Sequence, residues 1–354
     1  MTVDRAFART VLARLRVGVL ANTLRTPTAA VLIVALLIRL TGLTWGLPAS
    51  DGWDDDGVAP RDFLAGVVMT YWPHHHYIYP PLQLIALTLV SAPVWVAALL
   101  RASSLEAGEL VRAFIQVPTM TALAVAARAT TIAMSLGLLW NVAKIAVDLT
   151  HSRRAGAWAA AACGVNAVFT YYSQTTNLDV PYLFWAVLAL RTWMTAVVRG
   201  DLPRLRRVPV IAALAVATKD QAYALFVLGL PLALGAWLLV DRRARASARA
   251  IFRELAIGAA MGLSLLLVVD GAVSNPSGFA ERIGTLLGSA SQDHAYYAKT
   301  WLGRGKAILD TFTAFHEYYP WAFVPFAAFG CWVAFAAKDP ARRAAGLTPL
   351  CFAL

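Results

Sequence analysis

Charge is scarce in this chain. Asp, Glu, Lys and Arg make up only 14% of its 354 residues, against about 25% in a soluble domain, which excludes an ordinary water-soluble protein. Acid is scarcer than base, at 20 residues against 31. Cysteine is nearly missing, and Cys163, Cys331 and Cys351 all fall in apolar stretches, so neither a disulfide framework nor a cysteine metal cluster is indicated. The short alternating strands of an outer-membrane barrel are absent, as are internal repeats, low-complexity tracts and any soluble domain. A cleavable signal is also missing, because the apolar run 28–47 is too long and no small-residue cleavage site follows it.

Apolar length is what the chain has. It is 59% hydrophobic, with a mean hydropathy of +0.60, and several runs reach the roughly 20 residues that cross a bilayer as helix. The expected fold is therefore an all-α polytopic membrane protein. Its net charge of +11 gathers in short loops, the pattern of cytoplasmic loops in membrane proteins. That distribution explains the excess without nucleic acid.

The basic segments 1–28, 151–154, 199–207, 241–253 and 338–343 are expected to be cytoplasmic. Spans are expected at 29–47, 125–148, 155–171, 180–198, 208–219, 221–240, 251–270 and 318–337. This arrangement sends 48–124, 171–179, Lys219–Asp220 and 271–317 to the opposite face. Residues 82–100 are apolar enough to span, but a crossing there would spoil the parity of the basic loops. They are expected to lie on the outer leaflet or dip into it. The final apolar run, 346–354, resembles a span just beginning, as in the front part of a longer protein.

Unusual chemistry converges on that outer face. Asp54, Asp55, Asp56 and Asp62 fall within ten residues, followed by His74, His75 and His76. An Asp-x-Asp pair such as Asp54 and Asp56 can chelate a hard divalent cation; an Asp held against apolar surface can instead act as a base. Adjacent histidines point in different directions and cannot chelate together. Asp179, with Pro181, reads either as a helix-start acid or as a site residue. Lys219, beside Asp220, is either a helix-end charge or a phosphate ligand, and Arg128 is a second phosphate candidate. Arg39, inside the first span, either faces a partner or snorkels. The 271–317 segment adds Asp293, His294, Tyr296, Tyr297, Lys299 and Trp301, a mixture suited to sugar or headgroup contact.

These pieces occur in a telling order: Gly46-Leu-Pro48, Trp53-Asp-Asp-Asp56-Gly-Val-Ala-Pro60, Tyr79-Pro-Pro-Leu82, Ala127-Arg128, Tyr171-Tyr-Ser-Gln174 with Asn177-Leu-Asp-Val-Pro181, and Ala217-Thr-Lys-Asp220. Over about residues 30–240 the chain resembles the GT-C membrane glycosyltransferases that use polyprenyl-phosphate sugars. That group includes the protein mannosyltransferases and the lipid A aminoarabinose transferase. The resemblance implies a multi-helix transmembrane bundle with juxtamembrane helices in the first outer loop, and one glycosyltransferase domain over 29–354. It also implies a bacterial inner-membrane location, with the active site facing the periplasm or cell exterior.

In that family the first-loop Asp of an Asp-Glu pair is the catalytic base. Asp56 matches it, and Gly57 stands where Glu is usual, leaving Asp54 or Asp55 to compensate. On the glycosyltransferase reading Asp179 orients the acceptor or the base, Lys219 and Arg128 bind the donor phosphate, and Asp55, Tyr79, Asn177, His294 and Tyr297 contact the substrates. No cofactor or metal is expected, with Asp54 and Asp56 as the alternative metal pair. The partners are a polyprenyl-phosphate-sugar donor, membrane lipids and an acceptor of unspecified class. A transporter or flippase is the rival from another class, and it would carry inverted repeats and broken mid-membrane helices.

Overall fold

The computed structural model describes residues 26–49, 57–288, 297–298, 300–314, 317, 319–321 and 323–353. Among them every regular element is helical. In order these are α1 (Pro27–Leu40), α2 (Asp62–Tyr71), α3 (Leu82–Val90), α4 (Ala92–Arg101), α5 (Ala107–Ile115), α6 (Val117–Thr150), α7 (Arg153–Gly164), α8 (Ala167–Tyr172) and α9 (Asp179–Arg199). Then follow α10 (Arg207–Val216), α11 (Tyr223–Val227), α12 (Gly229–Val240), α13 (Arg242–Ala246), α14 (Ala248–Val269), α15 (Pro276–Leu287), α16 (Trp301–Thr313), α17 (Phe323–Phe335) and α18 (Pro340–Ala353). Short 3-10 turns at Leu202–Arg206 and Asp220–Ala222 precede α10 and α11.

Among the described residues four segments are long and apolar enough to cross a membrane, Val117–Thr150, Asp179–Arg199, Asp220–Val240 and Ala248–Val269, and the bent pair Leu82–Val90 and Ala92–Arg101 makes a fifth if it counts as one. Their outer surfaces carry large apolar side chains, among them Leu239, Leu263 and Met261, more than half exposed. Such a surface suits lipid and would be a liability in water. At 1.5 Å per residue, the 34 residues of α6 run about 51 Å, well beyond the roughly 30 Å hydrocarbon core.

The stretch expected to lie on the outer leaflet is not one straight span. It breaks at the buried Ser91, Pro93 follows within the first turn of α4, and the axes of α3 and α4 diverge by 58°. Helices α2 to α5 are all short, and the α3–α4 pair is either a broken crossing or a re-entrant loop. They pack as a unit, with Phe63, Leu84, Leu87 and Trp95 closing on Met120 and Leu123 of α6.

Four expected spans are shorter than anticipated, and the first of them, expected at 29–47, ends as helix at Leu40. The 155–171 segment divides into α7 and α8, because the Asn166 side chain caps the new helix by accepting from the Phe169 amide at 2.8 Å. The 208–219 segment stops at Val216 and turns extended at Lys219 (φ −150°, ψ 122°). The 318–337 segment keeps 13 residues of helix. Within 271–317 the chain is helical over α15 and α16, where a long loop was expected.

Polar groups gather at two opposite ends of α9 and α14. At one end Asp148 of α6 accepts from Thr195 (3.1 Å) and Arg199 (3.2 Å) of α9, and Glu254 of α14 meets Arg206 at 2.7 Å. This is the end of the basic loops. Close packing there depends on Gly258 and Gly262, because a Cβ at either would run into the backbone carbonyl of Arg206 or Pro209. Small residues one turn apart permit such backbone approach in membranes. Asp179 and Asp270 lie at the far ends of the same two helices, and the candidate site is built there.

Candidate functional site

The site begins with the end of α1. A helix leaves its last carbonyls without intrahelical donors, and here two distant residues supply them. Arg128 of α6 is fully buried, and its Nη1 donates to the carbonyls of Gly42 (3.4 Å), Leu43 (3.2 Å) and Trp45 (2.6 Å). Gln174 Nε2 donates to those of Ile38 (3.0 Å) and Arg39 (3.3 Å). Arg39 itself is buried, with its guanidinium 5.1 Å over the Phe169 ring and its Nη1 donating to Ala35. It faces an aromatic partner and does not snorkel to the surface.

From this frame the separate sequence pieces are tied together by backbone bonds. The Val58 amide donates to the Thr176 carbonyl (3.4 Å), and the Leu82 amide donates to the Ala217 carbonyl (3.0 Å). These two bonds lay the segment between α1 and α3 against both later polar segments. Between them lies a cavity of about 910 Å³, whose wall includes Arg61, His76, Tyr79, Asn177, Lys219 and Asp220.

Asn177 is buried, and its Oδ1 accepts from the Asp179 amide at 2.6 Å, a side-chain turn that starts α9. Asp179 is consequently aimed at Lys219. The two side chains meet at 2.5 Å, each a quarter exposed, and Lys219 Nζ also sits 5.8 Å over the Tyr182 ring. Tyr79 lies exposed on the cavity wall.

Sequence reasoning missed the buried charge cluster behind this wall. Arg282 of α15 is almost wholly buried. It pairs with Asp220, with Asp270 (3.2 Å), and through Nε with the Ile78 carbonyl (3.2 Å). Burial pushes the Asp270 carboxyl up to about 6 against the opposing pull of Arg282. Tyr77, whose hydroxyl donates to the Asp270 carbonyl, is pushed up to about 12, chiefly by its own burial. The only signal in the sequence was an arginine in a polar segment following a helix that ends on Asp270.

The histidines diverge, as their adjacency requires. His74 meets Ser277 (3.2 Å), His75 packs edge-on to Trp72, and His76 lies 3.5 Å from Glu281. Of the three, His76 lines the cavity. Asn275 fixes this loop: its Oδ1 accepts from the His74 amide (3.0 Å) while its Nδ2 donates to the His75 carbonyl (2.8 Å). Gly278 follows it, and a Cβ there would overlap the His75 carbonyl oxygen.

The structure therefore brings Tyr79, Asn177, Lys219 and, behind Lys219, Asp179 to one place. It gives Arg128 to the end of α1, away from the cavity wall. Tyr297 is also set apart, donating to Asp310 of α16 at 3.0 Å. Asp54, Asp55, Asp56 and His294 lie outside the described residues, and with them the alternative metal pair.

Compared with protein-family models, with curated proteins and with solved structures, the chain finds no match in any of the three.

Proposed function

We propose that this protein is a membrane glycosyltransferase that takes a sugar from a polyprenyl monophosphate and passes it, with inversion, to a hydroxyl acceptor on the outer face. The observation that carries this reading is the cavity itself. Its wall draws Tyr79, Asn177 and Lys219 from three segments far apart in sequence, and those segments are the ones whose order resembles the GT-C enzymes.

In the proposed reaction Asp56 removes the acceptor hydroxyl proton as that oxygen attacks the anomeric carbon. The bond from anomeric carbon to phosphate oxygen breaks, and the polyprenyl phosphate leaves with the electron pair. Lys219 lends positive charge to the departing phosphate, since fixed charge aimed at developing charge is the strongest catalytic device in a dry site. Asp179 holds Lys219 and offers its second oxygen to the acceptor. The proposed setting is a bacterial inner membrane, with the cavity on the periplasmic or exterior side.

The test is transfer from a synthetic polyprenyl-phosphate sugar by the purified chain in detergent, with and without chelator. Sugar appearing on an acceptor, with release of polyprenyl phosphate, is the expected result. Movement of the intact lipid-linked sugar across a vesicle, with no bond broken, would replace this reading with the transporter.

A further inference from the structure

The polar segment 271–317 contains a helix that turns its apolar side outward. In α16, Trp301, Leu302, Ile308 and Leu309 fall at the i, i+1, i+7 and i+8 spacing of one helix face, and all four are at least 60% exposed. The opposite side is where the chain's own preceding residues lie. Tyr297 donates to Asp310 at 3.0 Å, and a Cβ on Gly303, on the same side as Asp310, would overlap the Ala298 carbonyl oxygen. The protein thus covers the polar side of α16 and leaves the apolar side bare, the reverse of a helix on a water-soluble domain.

Three observations name what covers it. At 1.5 Å per residue the 13 residues of α16 reach only about 20 Å, short of the roughly 30 Å hydrocarbon core, so this helix cannot cross a bilayer and can only lie along one. Its cations border the apolar stripe on both sides. Arg304 stands one turn after Trp301 and Lys306 one turn after Leu302, both are exposed, and the Arg304 guanidinium lies 4.9 Å over the Trp301 ring. Such borders suit a helix at headgroup level, with basic stems along the apolar surface and their charges reaching phosphate. Finally, residues 314–322 alone separate α16 from α17, which has no buried residue and exposes Phe326, Phe329, Trp332 and Phe335. A helix so apolar on every side lies in lipid, and α16 is tied to it.

We propose that α16 is an interfacial helix that lies flat on the bilayer, with Trp301, Leu302, Ile308 and Leu309 among the upper acyl chains and Arg304 and Lys306 on the phosphates of anionic headgroups. Residues 297–298 stay on its water side. This docking requires a membrane-embedded chain and nothing of sugar transfer.

The experiment uses the full chain, its own cysteines replaced by alanine, in nanodiscs of phosphatidylcholine and phosphatidylglycerol. A nitroxide is attached singly through Leu302→Cys, Ile308→Cys, Leu309→Cys or Lys306→Cys. Its collisions with oxygen, which concentrates in lipid, are compared with those of a nickel chelate, which stays in water. Leu263→Cys, exposed on α14, supplies the lipid reference. The oxygen-to-nickel ratio at 302, 308 and 309 should exceed that at 306 by at least about threefold, as for a helix half sunk in the interface. Leu302→Asp with Leu309→Asp should bring the ratio at 308 down to that at 306. High nickel access at all four positions would leave α16 in water and overturn the docking. Low access to both reagents at 302, 308 and 309 would place a protein there, a second copy or another chain, and overturn it equally.

Discussion

Lys219 and Asp179 stand 40 positions apart in the chain and meet at 2.5 Å, each a quarter exposed, with Lys219 on the cavity wall. A lysine already holding a carboxylate is a shared charge, able to loosen toward a second anion when one arrives. Lys219→Met and Asp179→Asn should each lower transfer by roughly ten- to a hundredfold, the range for one charge-assisted contact. The double variant should fall within about threefold of the worse single one, because coupled partners are not additive. Fully multiplicative losses in a double-mutant cycle would show that the two act separately.

Asp56 lies outside the described residues, and its role is tested by chemistry alone. Base catalysis contributes roughly 10²–10⁴-fold, so Asp56→Asn should lose at least about a hundredfold in transfer while keeping its fold and donor binding. Asp54→Asn and Asp55→Asn should lose far less, unless one of them replaces the acid that Gly57 lacks. Chelation that abolishes activity, restored by a divalent ion, would favour the Asp54–Asp56 metal pair.

Arg128 should behave as a structural residue. Its Nη1 serves three carbonyls at the end of α1, and losing hydrogen bonds from a buried charged group costs about 1.5–3 kcal/mol. Arg128→Met should lower the melting temperature in detergent by several degrees, with KM for the lipid donor unchanged in whatever folds. A raised KM with unaltered melting would return it to the phosphate.

The Asp270 carboxyl titrates at about 6 in the folded protein, above the roughly 3.9 of an unfolded aspartate. Since the folded value is the raised one, the contribution to stability is complete below about pH 4 and is lost as pH rises through about 6. Asp270→Asn should flatten the stability profile between those values, read as melting temperature against pH. A wild-type profile already flat across that window would refute the burial argument.

Cysteines placed at Ser104 and Ser291 should both label from outside an intact cell. The 58° bend at Ser91 is compatible with either a broken crossing or a re-entrant pair, and Ser104→Cys distinguishes them. Labelling of Ser104→Cys only after permeabilisation would make residues 82–101 a broken crossing.

Apolar length was the most legible property of the sequence: the segments 180–198, 221–240 and 251–270 were expected close to where α9, the Asp220–Val240 segment and α14 lie. Helix breaks were less legible, because a side-chain cap such as Asn166 acts on one turn and leaves hydropathy unchanged. The pieces around Tyr79, Asn177 and Lys219 were readable as a set through their order. Their division of labour was not. Gln174 and Arg128 look like site residues in sequence because both are polar in apolar surroundings, and only coordinates show them serving the carbonyls of α1. Arg282 could not be paired in advance, since its partners Asp220 and Asp270 lie 62 and 12 positions away.

The Asn275 side chain joins the His74–His75 backbone across about 200 positions. During synthesis the His74–His75 loop emerges long before Asn275 exists, so it waits unclasped while α6 to α14 are made. Residues 74–78 are held in place only when Asn275 and Arg282 arrive. A nascent chain stopped before residue 275 would carry every sequence piece of the resemblance and still lack the clasp on residues 74–78.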